Sequence, residues 1–119
     1  MTVRIYHNPR CSKSRQTLAL LTEHGETPEI IEYLQTPPSA DELRHLLSLL
    51  GIAPRELMRT DEDEYRELGL DAPSLSSEQL IDAMVAHPRL IQRPIVVYGE
   101  RAAIGRPPEN VLALLGPRS

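Results

Sequence analysis

Two short apolar runs bracket an amphipathic segment at the start of this chain, and that arrangement restricts the fold more than any other feature. Residues 2–6, Thr2-Val3-Arg4-Ile5-Tyr6, read as a strand that stops at the loop signal His7-Asn8-Pro9, and residues 29–34, from Glu29 to Leu34, read as a second. Between them, Ser12 to His24 places Leu18, Leu20 and Leu21 at helical spacing, and Gly25 supplies a left-handed terminator. Strand, helix and strand in this span make a βαβ unit. Its crossover is right-handed and its strands are parallel by default, because only that hand packs the helix back onto a twisted sheet.

After Thr36-Pro37-Pro38 the texture turns helical. Ser39 and Glu42 have capping-box spacing, and Leu43, Leu46, Leu47 and Leu50 form one apolar stripe before Gly51. Shorter helical pieces are predicted at Pro54 to Leu57 and at Glu64 to Leu68, with the acidic run Asp61-Glu62-Asp63-Glu64 as a solvated surface. Ser76 and Gln79 cap another helix, whose Leu80, Ile81, Met84 and Val85 share a face until His87-Pro88. Strand character returns at Ile95-Val96-Val97-Tyr98, then a Gly99-Glu100 turn, then Ala102-Ala103-Ile104. A final helix is predicted from Pro107, with Val111, Leu112, Leu114 and Leu115 facing the sheet. The order βαβ, helices, ββα predicts an α/β, thioredoxin-like (glutaredoxin-like) fold with a helical insertion and a mixed sheet flanked by helices. The expected organisation is a single domain over residues 1–119, with its core in about 1–34 and 89–119 and the insertion in about 35–88.

Composition excludes several functions. There is no Trp or Phe and the net charge is -4, which argues against base stacking and against phosphate-backbone binding to nucleic acid. No run of about 18 uncharged apolar residues offers a membrane span, and Met1 to Arg10 lacks the apolar core of a signal peptide, so a cytoplasmic location is expected. Of the 13 cationic side chains, 12 are Arg and one is Lys13. The planar guanidinium fork grips tetrahedral oxyanions better than an ammonium does. His24, His45 and His87 lack metal-ligand spacing, and no metal or bound cofactor is expected.

Cys11 is the only cysteine, which leaves no internal disulfide and no cysteine-based metal cage. It stands where the first strand ends and the first helix begins, so unpaired backbone N–H groups should converge beside it and favour a thiolate. Arg10, Lys13 and Arg15 add positive charge, and spacing does not say which faces the sulfur. The Ser14 hydroxyl lies one turn on and can donate to the thiolate or to a bound oxyanion. His7 either orients the thiolate electrostatically or caps the loop. A buried structural cysteine is the bland alternative, but such residues seldom sit among polar, basic neighbours.

The segment from Tyr6 to Arg15 resembles the active-site turn of the glutaredoxin-coupled arsenate reductases, the ArsC type of the ArsC/Spx superfamily. Ile91 to Val97 and Gly105-Arg106-Pro107 are similar to that family's two later signatures. Tyr33 to Pro38, Leu57-Met58-Arg59 and Glu67 to Leu70 fall in the expected order, so the likeness runs nearly end to end. The resemblance implies an oxidoreductase in which Cys11 is the nucleophile on arsenate, glutathione acts as reducing cosubstrate and glutaredoxin resolves a mixed disulfide. It further implies that His7 and Ser14 tune the thiolate and that Arg59, Arg93 and Arg106 hold the oxyanion, with Ser12, Lys13 and Ser14 lining the substrate site. Pro94 holds Arg93 extended, and in thioredoxin-like folds a cis-proline there faces the thiol, which would aim Arg93 at Cys11. Arg59, at the end of a helical piece, fits a surface role equally well on physical grounds alone. Arg44, Arg55, Arg66, Arg89 and Arg101 lie outside the motifs and are expected to be ordinary solvated side chains.

Two other readings compete. An Spx-like regulator that binds RNA polymerase shares the fold but needs a second cysteine three residues on, where this chain has Ser14. A general glutathione-linked thiol oxidoreductase would leave three oxyanion-binding arginines without a purpose.

Overall fold

The computed structural model describes residues 2–115, which fall into two compact units, one of residues 2–36 and 93–115 and one of residues 37–92. In the first, β1 (Val3–Tyr6) and β2 (Glu29–Ile31) pair in parallel, with Ile5 opposite Ile30, joined by helix α1 (Ser12–Glu23). Strand β3 (Ile95–Tyr98) runs antiparallel to β1, with Val96 opposite Ile5. The hairpin to β4 (Arg101–Ile104) turns on Gly99, whose φ of 62° is left-handed backbone that favours glycine. The sheet order β2-β1-β3-β4 places the two apolar strands in the middle.

Alternation explains the burial. Val3 and Ile5 of β1 and Val96 of β3 point to one face and form a buried cluster with Leu21 of α1 and with Val111 and Leu114 of the last helical segment. Ile95 and Val97 are also buried, so β3 is apolar on both faces and reads as a continuous hydrophobic run. The final segment Pro108–Leu115 packs against α1 and β4 as a 3-10 helix, not the α-helix its spacing suggests. Its first turn closes with Asn110 N–H on the Pro107 carbonyl, an i to i+3 bond. Strand β2 is three residues long where six were expected. The Glu32 carbonyl instead accepts from the N–H groups of Gln35 and Thr36, forming a turn that buries Tyr33.

The second unit is helical: α2 (Ala40–Leu50), a 3-10 turn at Pro54–Leu57, α3 (Asp63–Glu67), α4 (Ser77–Ala86) and a 3-10 turn at Pro88–Leu90. Leu43, Leu46 and Leu47 of α2 are buried, as are Leu80, Ile81 and Met84 of α4, and the two helices pack together. The start signals read from sequence are real caps. Ser39 Oγ accepts from Glu42 N–H, and Ser76 with Gln79 forms a reciprocal capping box. Among the described residues, no helix is long and apolar enough to cross a membrane.

Candidate active site

Cys11 is the residue just before α1, with extended backbone (φ -94°, ψ 123°), so the helix's first N–H groups point toward its side chain. Asn8 ties the turn together. Its carbonyl accepts from Cys11 N–H at 3.0 Å, its side-chain oxygen accepts from Arg10 N–H at 3.0 Å, and its own N–H donates to Ser14 Oγ at 3.0 Å. The sequence placed Asn8 in the loop signal after the first strand, as suits an asparagine beside a proline, but assigned it no part in the site.

Burial pushes the half-buried Cys11 thiol up, but the Ser14 backbone N–H, the Arg93 guanidinium and the Lys13 backbone N–H outweigh it, and the thiol lies below its ordinary value. Arg106 Nη2 adds a hydrogen bond to Sγ at 3.6 Å from 95 residues away in sequence. The same side chain donates through Nε to the Arg93 carbonyl at 2.8 Å, so the two arginines are locked together. Arg93 Nε is buried and has no acceptor among the described residues. The Arg93–Pro94 peptide is cis, as the sequence led us to expect, and so is Arg106–Pro107.

The structure brings His7, Cys11, Ser14, Arg93 and Arg106 into one unit. Ser14 is fully buried, and its hydroxyl engages Asn8 N–H and, at 2.7 Å, His7 Nδ1. It therefore reaches the sulfur through its backbone N–H. His7 is buried as well. Desolvation moves its imidazole below the ordinary value, Glu32 opposes this and Arg15 assists it, which favours the neutral ring. The positive charge at the sulfur comes from Arg93 and Arg106. Ser12, Arg10, Lys13 and Arg15 are exposed, and Arg15 donates to the Pro9 carbonyl at 2.9 Å.

Arg59 belongs to the other unit. Its N–H donates to the Leu90 carbonyl at 2.7 Å beside the Met58 to Ile91 bridge, and its guanidinium pairs with Glu62 at 2.6 Å. Glu62 is thus a bonded residue with a largely buried side chain, not part of a merely solvated acidic run. Arg55 also departs from the expectation of simple solvation, since it donates to Tyr65 Oη and to the carbonyls of Leu70 and Ala72.

A mixed four-stranded sheet with a cysteine at the first strand-to-helix turn, its thiol met by an arginine that precedes a cis-proline, defines a thiol protein of the thioredoxin-like class. Within that class the chain belongs to the ArsC family, whose model matches residues 6–114. It is 59% identical to the uncharacterized protein YfgD of Escherichia coli K12 over 96% of this chain and 97% of that one. It is 51% identical to a protein of Haemophilus influenzae named arsenate reductase, over 97% of this chain and all of that one. A solved structure described as the arsenate reductase from Vibrio cholerae superposes with a TM-score of 0.94 at 52% identity, covering 96% of this chain and 98% of that one. The family expected from the sequence motifs is the family found.

Proposed function

We propose that this protein reduces arsenate to arsenite, with glutathione as cosubstrate and glutaredoxin as the resolving partner. One observation carries the proposal: a thiol at a helix start is met by two backbone N–H groups and two guanidinium groups, the donor set that both ionises a sulfur and receives an oxyanion. The names of relatives about half identical over almost the whole chain support arsenate as that anion. Arg93 Nε, buried without an acceptor among the described residues, is a donor that an arsenate oxygen would satisfy.

In the proposed cycle the Cys11 thiolate attacks arsenic, and one oxygen leaves as water after protonation. Glutathione's thiolate then attacks the Cys11 sulfur. The electron pair of the sulfur–arsenic bond stays on arsenic, which passes from As(V) to As(III) and departs as arsenite. A Cys11–glutathione disulfide remains, and the glutaredoxin thiol reduces it. Arg93 and Arg106 spread the negative charge through attack and departure, while Ser12, Lys13 and Ser14 offer the first turn of α1. His7, neutral and bonded to Ser14, holds that turn in place. For Arg59 the oxyanion-binding role rests on the family resemblance. The thiol chemistry suits the reducing cytoplasm, where we place the protein.

A coupled assay containing glutathione, glutaredoxin, glutathione reductase and NADPH tests this, with arsenate in one arm and a model disulfide in the other. NADPH oxidation that depends on arsenate, and that Cys11→Ser abolishes, is the expected result, because a serine hydroxyl can form neither the adduct nor the disulfide. Turnover in the disulfide arm alone would assign the protein to general thiol exchange.

A further inference from the structure

Gly105, which immediately precedes Arg106, lies against α1 more closely than any side-chain-bearing residue could. A Cβ placed on it would meet Thr17 Oγ1 at 2.4 Å, Pro94 Cγ at 2.8 Å and Thr17 Cγ2 at 3.1 Å. The requirement is steric, since Gly105 is not among the glycines with positive φ. Thr17 cannot readily give way. It is fully buried, and its hydroxyl is fixed by donation to the Lys13 carbonyl at 2.8 Å. The backbone on either side is pinned as well: Gly105 N–H donates to the Pro94 carbonyl at 2.9 Å, and Asn110 Nδ2 donates to the Arg106 carbonyl at 3.0 Å.

We infer that Gly105 is a positioning residue for the thiol: its bare Cα lets the chain close onto Thr17 and Pro94, and that closure carries the Arg106 guanidinium to Cys11. The inference rests on the reading of Arg106 as a donor to the thiolate. A methyl group at 105 pushes residues 105 and 106 outward from α1. The 3.6 Å contact between Nη2 and Sγ then lengthens, and the 2.8 Å bond to the Arg93 carbonyl that couples the two arginines is strained with it.

The test is the pH dependence of Cys11 alkylation by iodoacetamide, which reads the thiol directly and needs no turnover. It is measured for the wild type, Gly105→Ala, Arg106→Ala, the two combined, Thr17→Ala, and Gly105→Ala with Thr17→Ala. Gly105→Ala is expected to raise the thiol pKa by about 1, roughly a tenfold loss of thiolate below that pKa. Arg106→Ala should do the same, and the combination should do no more than Arg106→Ala alone, because one interaction is lost in each case. Thr17→Ala should leave the thiol as it was and, by removing both Thr17 atoms that crowd position 105 while the Pro94 Cγ contact stays, restore the Gly105→Ala protein part of the way toward wild type. An unchanged thiol in Gly105→Ala, with a raised one in Arg106→Ala, overturns the inference and leaves the reading of Arg106 standing. A silent Arg106→Ala overturns that reading and the inference with it. Fully additive effects place Gly105 on another route and overturn the inference. If Gly105→Ala alone does not fold, recovery of folding and of the lowered thiol pKa on adding Thr17→Ala supports the inference, and failure to recover overturns it.

Discussion

At Cys11 two opposing effects can be weighed. Desolvation alone would make the thiol inert, yet donors from the helix start and from Arg93 reverse the sign, so the thiolate is favoured. The midpoint of its alkylation rate against pH should therefore fall below the ordinary thiol value of about 8.5, and sulfate should slow the reaction by occupying the same donors. A midpoint at the ordinary value without anion protection would contradict the assignment of those donors. The same shift has a stability consequence. A group whose native pKa is lowered contributes stability that is complete above its unfolded value and is lost as pH falls through the native one. The melting-temperature difference between wild type and Cys11→Ser should shift in favour of wild type as pH rises from the lowered native value to about pH 8.5 and be independent of pH below that window. A difference that stays flat with pH would show that the thiol titrates alike in the folded and unfolded chain. His7 adds a separate slope in the same direction, since burial keeps its ring neutral and acid must charge it.

The secondary elements follow local rules where local rules suffice. Ser39 and Ser76 start α2 and α4 as their spacing indicates, because a cap needs only a side chain and a backbone N–H three residues apart. The failures are equally instructive. β2 ends early because the Glu32 carbonyl is taken by a turn, and the C-terminal segment tightens to 3-10 geometry. Arg55 was indistinguishable in sequence from a solvated arginine, yet from the Pro54–Leu57 turn it clamps Tyr65 and the chain at Leu70 and Ala72. Replacing it by alanine leaves two part-buried carbonyls and a buried phenol without their charged donor. Arg55→Ala should cost about 2 kcal/mol in urea denaturation, against less than about 0.5 kcal/mol for an exposed arginine such as Arg66. Equal losses would return Arg55 to the surface class.

For the whole molecule, the chain enters the unit of residues 37–92 once and leaves it once, and the sheet is completed only by β3 and β4, which follow that unit in sequence. A helical segment of fewer than about 60 residues buries a small fraction of its surface and is marginal alone. We propose that residues 1–119 unfold as one domain. Calorimetry should then show a single transition whose calorimetric and van't Hoff enthalpies agree, and two resolved transitions would refute this. What the sequence alone determined was the set of elements, their order and the position of one thiol at the first strand-to-helix turn. Periodicity, caps and turn residues act over a few positions and are written locally. What only the tertiary structure decided was which cations reach the sulfur. Arg10, Lys13 and Arg15 are its neighbours in sequence, but the guanidinium groups beside it come from Arg93 and Arg106, carried there by strand pairing and by the close approach of Gly105 to Thr17. No local pattern encodes that, because the interaction energy depends on distance in space and the chain closes that distance only when the sheet is assembled.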